Sequence, residues 1–145
     1  MVQRSFTSML KKLEEDMNEV KHEFLRNVAV DLVNSSPVDT GTYVRNHSIT
    51  VSSGSGGRQN SHGKPPDAGT AKGDALDKLF TQIDSLPEDT ALAYIANRSP
   101  YANKVEYLGW VGESSQTSPY FVFTAVKNRA KIHLQDAINT VRARQ

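Results

Sequence analysis

Asp39-Thr40-Gly41 is the tripeptide of this chain that most directly suggests catalysis. Two such turns facing each other let a pair of carboxylates share one proton and activate a water, which is the chemistry of aspartic proteolysis. A single copy serves only if two chains meet across the site. The surroundings favour a different use of the same residues. Ser35-Ser36-Pro37, not an apolar strand, leads into the turn, helical periodicity lies upstream, and no flap-like hairpin follows. Read as geometry, Pro37 ends a helix because the residue before a proline is pushed out of the helical region. Asp39 and Thr40 can accept backbone N–H groups, and Gly41 can take a positive φ where a side chain would clash. Pro37, Asp39, Thr40 and Gly41 then form a rigid corner, with Asp39 capping the turn that starts at Thr40.

Other chemistries find less support. His22, His47, His62 and His133 show no zinc-ligand spacing, and no carboxylate cluster accompanies them at the spacing of a metal motif. There is no Gly-x-Ser-x-Gly elbow, and a chain with no cysteine has no thiol nucleophile. Gly54-Ser55-Gly56-Gly57-Arg58 has the glycines of a phosphate loop but lacks the Gly-Lys-Ser/Thr ending and a helix directly after it. The expectation is therefore a non-enzyme without cofactor or metal.

The elements that would position these residues are read from apolar spacing. Phe6, Met9, Leu10, Leu13, Met17, Val20, Phe24, Val28 and Leu32 step by three or four and predict one long helix over 6–33. Its intervening charges make a solvated face with pairs such as Lys11–Glu15 and Lys12–Asp16. The 4-3-4-3-4 steps from Phe6 to Phe24 also suit a seam for a partner helix. The second half, around Val28-Ala29-Val30 and Leu32-Val33, is apolar on more than one side and should be buried. Thr42–Asn46 reads as about one helical turn and Ser48–Val51 as a strand.

Ser52–Lys72 holds five of the nine glycines, with Pro65 and Pro66 and no large apolar residue. Such a segment buries too little to offset its ordering entropy, and loops beyond about 12–15 residues are usually functional or disordered. The expectation is a mobile arm over about 52–73, ordering on assembly through Arg58, Lys64 and Lys72. A short helix follows over 74–83, then a largely uncharged strand over 90–96 suited to a sheet interior. Asn97-Arg98-Ser99-Pro100 turns into a short helix ending by Gly109, Trp110–Gly112 forms a brief strand, and 113–117 is a polar loop. Ser118 as N-cap and Pro119 at the first helical position predict a last helix running to the end. From Lys127 onward five cations face the one Asp136. Cations near a helix C-terminus are favourable in their own right, so this excess points only weakly to an anionic partner.

The whole chain sets bounds. Its 145 residues fit one domain with a single core. A net charge of +1 excludes a surface that is wholly a nucleic-acid or membrane footprint. No apolar run approaches the roughly 20 residues that span a bilayer, and Met1–Ser5 lacks a secretory core, so synthesis and use in a cytoplasm are expected.

The order of features carries a resemblance. A long helix leads into Pro37-Val38-Asp39-Thr40-Gly41-Thr42 and Asn46-His47-Ser48-Ile49. Later come Ala93-Tyr94-Ile95-Ala96-Asn97, Pro100-Tyr101-Ala102, Val105-Glu106-Tyr107 and Ser118-Pro119 with Phe121. From about Asn34 to Val126 the chain resembles the tail-completion and neck component family of tailed bacteriophages, which includes lambda-type minor tail protein Z. The family pattern runs Glu-x-Gly, whereas Leu108 adds a residue before Gly109. The resemblance implies an α+β subunit, an antiparallel sheet flanked by the first and last helices, without catalysis. It implies a virion protein that finishes the tail or joins it to the head. Its partners would be further copies in a ring, six by the tail's symmetry, the tail tube or terminator protein and the head–tail connector protein. The DNA channel would lie nearby, and no membrane is involved. Asn97, Pro100, Tyr101 and Glu106 would anchor a second corner or a subunit contact. The alternatives are a nucleic-acid-binding assembly module using the basic C-terminal helix and, further off, the dimeric protease.

Overall fold

The computed structural model describes residues 2–38, 41–51, 67–90, 92–111 and 116–145, with the backbone alone at 2–6, 68, 110–111 and 116–117. In order these form α1 (Val2–Asn34), α2 (Thr42–Arg45), β1 (His47–Thr50), α3 (Ala68–Asp84), β2 (Tyr94–Asn97), a wide turn over Lys104–Leu108, β3 (Trp110–Val111), β4 (Gln116–Thr117), α4 (Val122–Asn128) and α5 (Ala130–Ala143). The fold is α+β. No helix among the described residues is long and apolar enough to cross a membrane.

α1, 33 residues and about 50 Å long at 1.5 Å per residue, organises the rest. Its C-terminal half is apolar on two sides and buries both, as its sequence requires. Ala29 and Val33 pack with Val44, Ile49, Leu79 and Ile83 from α2, β1 and α3. Val28 and Leu32 pack with Tyr43, Val105, Val122 and Val126 on the other side. Each such fully buried aliphatic side chain is worth about 1.5–3 kcal/mol relative to exposure. The N-terminal half runs past this core, leaving Met9, Leu10, Leu13 and Met17 more than half exposed. Its charged face carries the expected Lys12–Asp16 pair at 3.9 Å.

The main sheet pairs β1 with β2 antiparallel, His47 opposite Asn97 and Thr50 opposite Tyr94. β3 and β4 form a separate two-residue ladder. The uncharged second strand is therefore not inside a sheet: it starts only at Tyr94, and the sheet of the described residues ends with it.

Beyond α1, which begins at Val2 instead of Phe6, two helix starts differ from the sequence reading. α3 begins at Ala68, not 74, because Asp67 caps it: its carboxylate accepts the Thr70 N–H at 2.8 Å and the Thr70 hydroxyl at 2.9 Å. Lys72 is thus a helical residue whose Nζ donates to the Asn34 C=O at 3.1 Å, and not part of an arm. The last helix starts at Val122 instead of Pro119 and breaks at Arg129 into two. Residues 116–117, expected in a loop, are β4.

A buried polar corner as candidate functional site

The sequence candidates separate into three groups. Asp39 and Thr40, and with them the protease reading, lie outside the described residues, as do Arg58, His62 and Lys64. Of the first corner, Pro37 follows α1 and Gly41 sits before α2 at φ 84°, the left-handed region that glycine enters without a steric penalty. Of the second corner, Asn97 is tied to α2 and β1 and Glu106 to α4.

Asn97 is the joint. Its amide donates to the Tyr43 C=O at 2.7 Å and to His47 Nδ1 at 3.1 Å, while its Oδ1 accepts the Ser99 N–H at 2.9 Å. The acceptor role of Nδ1 places the imidazole proton on Nε2, which donates to Ser36 Oγ at 2.7 Å. The Ser36 hydroxyl in turn donates to the Leu32 C=O at 2.6 Å. Ser36, His47 and Asn97 thus form a relay in which donation runs from Asn97 through His47 and Ser36 to the Leu32 C=O. Nothing in it withdraws the Ser36 proton, as nucleophilic catalysis would need. Burial, with the Lys78 charge second, pushes the His47 pKa down to about 3 and keeps the ring neutral. Its faces are filled by Tyr43, 5.0 Å away edge-on, and Phe123 at 5.6 Å. Ser99 Oγ continues the corner by accepting the Tyr101 N–H at 3.0 Å, while the Pro100 and Tyr101 side chains are exposed.

Glu106 is 5% exposed, and its carboxylate serves α4. It accepts the Phe123 N–H at 2.9 Å, the Thr124 N–H at 2.8 Å and the Thr124 hydroxyl at 2.9 Å. A carboxylate at a helix N-terminus satisfies orphan amides and meets the positive end of the dipole. Here the cap arrives from 17 residues upstream of the first amide it accepts. That is why Ser118 is not needed as N-cap and the helix begins later. Phe121 takes the local N-cap position at φ 51°, a left-handed angle unusual for an aromatic residue. The buried Tyr43 hydroxyl has no hydrogen-bond partner among the described residues; burial and then the Glu106 charge hold its pKa well above the ordinary value, so it stays protonated.

A third cluster was not legible as a unit from spacing. Asp31 on α1 accepts Arg129 Nε at 2.8 Å and Nη2 at 2.7 Å, His133 Nε2 lies 2.6 Å from its Oδ2, and the Ser35 hydroxyl donates to it at 3.0 Å. The Arg129 hydrogen bond pulls the Asp31 pKa down to about 2 against the opposing effect of burial. The cluster pins the α4–α5 break to α1. It also takes one cation of the basic C-terminal segment, and Glu23 takes another, Arg144, at 2.8 Å. Among the described residues no three His, Asp or Glu side chains are arranged to hold a metal.

Exposed apolar side chains gather beside the second corner. Tyr107 and Leu108 on the wide turn are about two-thirds exposed, and Tyr101, Tyr120 and Phe121 about half. The two segments are tied together by the Tyr120 N–H donating to the Val105 C=O at 2.7 Å. No family model, curated protein or solved structure matches the chain.

Proposed function

We propose that this chain is a structural virion protein at the head–tail junction of a tailed phage, assembling as a homo-oligomeric ring that completes the tail and joins it to the head connector. The order of motifs from about Asn34 to Val126 supports this role. One observation carries it furthest. Asn97 and Glu106, two strongly hydrogen-bonding motif residues, direct their bonds largely at main-chain groups of their own fold. Motif residues used in this way hold a shape and act on no substrate. The exposed aromatic surface around Tyr101, Tyr107 and Tyr120 is then the part available to neighbouring subunits, and patches of this kind commonly mark interaction sites. Leu108 fits the same account. The turn over Lys104–Leu108 closes with the Gly109 N–H on the Lys104 C=O at 2.7 Å, one residue wider than an α-turn, which accommodates an added residue.

The genetic test is a stop codon in this reading frame of a phage that carries it. The expected result is DNA-filled heads accumulating beside unjoined tails. Infectious particles in normal yield, or a block before DNA packaging, would overturn the proposal. DNA binding with a steep salt dependence and no effect on joining would instead favour a nucleic-acid-binding role for Lys127, Lys131 and Arg142.

A further inference from the structure

We propose that the open edge of β2 is a strand-docking site, occupied in the free protein by β2 of a second copy running antiparallel about a two-fold axis at Ala96. The ladder pattern identifies the edge. The Arg98 N–H donates to the Asn46 C=O at 3.2 Å, which makes residues 46 and 98 a hydrogen-bonded pair in the register that sets His47 opposite Asn97. Bonded and non-bonded pairs alternate in an antiparallel ladder. Ile49 and Ile95, like His47 and Asn97, therefore direct their backbone groups away from each other. On the β1 side that outward position is covered: the Ile49 N–H donates to Gln82 Oε1 of α3 at 2.8 Å. On the β2 side Ile95 and Asn97 present N–H and C=O groups where, among the described residues, no further strand lies.

Edge strands are ordinarily protected by lysine, proline, a bulge or an inward charge. Leu92–Asn97 carries no proline or charge, and its four-residue register with β1 is unbroken. A mainly apolar groove of about 340 Å³ continues beside it, lined by Phe24, Leu25, Leu86, Leu92, Ala93 and Ile95 together with polar residues that include Lys21 and Glu88. The flanking charges select the occupant and its direction. Glu88 and Asp89 precede the strand, whereas Arg98 and Lys104 follow it. Antiparallel self-pairing sets each acidic end against the partner's basic end, while parallel pairing sets like against like. Centred on Ala96, Ile95 and Asn97 of one copy exchange bonds with Asn97 and Ile95 of the other, and Arg98 faces the half-exposed Tyr94. A two-fold contact cannot repeat around a polar ring, so this dimer is a state of the chain before incorporation and stands apart from the head–tail proposal.

The absence of cysteine makes the test direct. Single cysteines at Leu92, Ala96 and Arg98 are compared under mild oxidation, with helical content checked by circular dichroism and the unmodified chain followed by sedimentation. The expected result is a dimer of the unmodified chain and efficient disulfide formation for Ala96→Cys, at least tenfold faster than for Leu92→Cys or Arg98→Cys. Cross-linking equal at all three positions would overturn the antiparallel pairing. A monomer at tens of micromolar would overturn the dimer, and so would a six-copy assembly without an Ala96→Cys cross-link, although that last result would agree with the ring.

Discussion

Glu106 is a buried carboxylate whose partners are two amides and a hydroxyl of α4, and that assignment is testable by substitution. Glu106→Ala removes three hydrogen bonds to a charged acceptor and leaves both amides uncapped. The expected cost is about 2–4 kcal/mol in urea denaturation, and Glu106→Gln, which keeps an acceptor, should cost less than half of that. A catalytic carboxylate would show the reverse, a stable variant without activity. His47 gives the fold an acid-side weakness. Its pKa is depressed in the folded chain to about 3 from 6.5, so the unfolded chain binds the proton first. Its stabilising effect is complete above pH 6.5 and is lost as pH falls from there towards 3. Asp31, depressed to about 2 from 3.8, adds a second loss between about pH 4 and 2. Melting temperatures taken from pH 7 to pH 3 should therefore fall steadily, and His47→Gln should flatten the part of the slope above pH 4.

At the scale of elements, much of the architecture was legible because it follows from periodicity and backbone chemistry. The two-sided burial of the second half of α1, the Gly41 turn and the single turn after it all follow that logic. What was hidden depends on partners distant in sequence. Ser118-Pro119 reads as a helix start, yet the acceptor for the first amides of α4 comes from Glu106, so the start moves to Val122. Gly69 and Gly73 read as loop residues, but the Asp67 cap starts α3 ahead of both. Asp31, Arg129 and His133 are about a hundred residues apart and meet only when α5 packs on α1. Asp31→Asn should loosen that contact at a cost of about 1–2 kcal/mol at pH 7, with the difference from the unsubstituted chain vanishing near pH 2. Phe121 offers a separation of stability from assembly. Its left-handed backbone and roughly half-exposed ring mean that Phe121→Gly should be neutral or stabilising by about 0.5–1 kcal/mol in thermal unfolding. If the aromatic patch is a subunit contact, the same variant should assemble poorly.

At the scale of the molecule, the polar groups of the core close on the fold's own main chain, while several apolar surfaces are left over among the described residues. They include the first half of α1, the patch from Tyr101 to Phe121, the edge of β2 with its groove, and Ile132 and Leu134 on α5. Inward-directed polar groups and outward-directed apolar ones are what an assembly subunit needs. The most direct measurement is the native mass of the purified chain, alone and mixed with tail tubes, with electron microscopy of the tube ends. The expected result is a small species alone and a ring bound at one end of each tube when tubes are present. An unchanged mass with bare tube ends would contradict it.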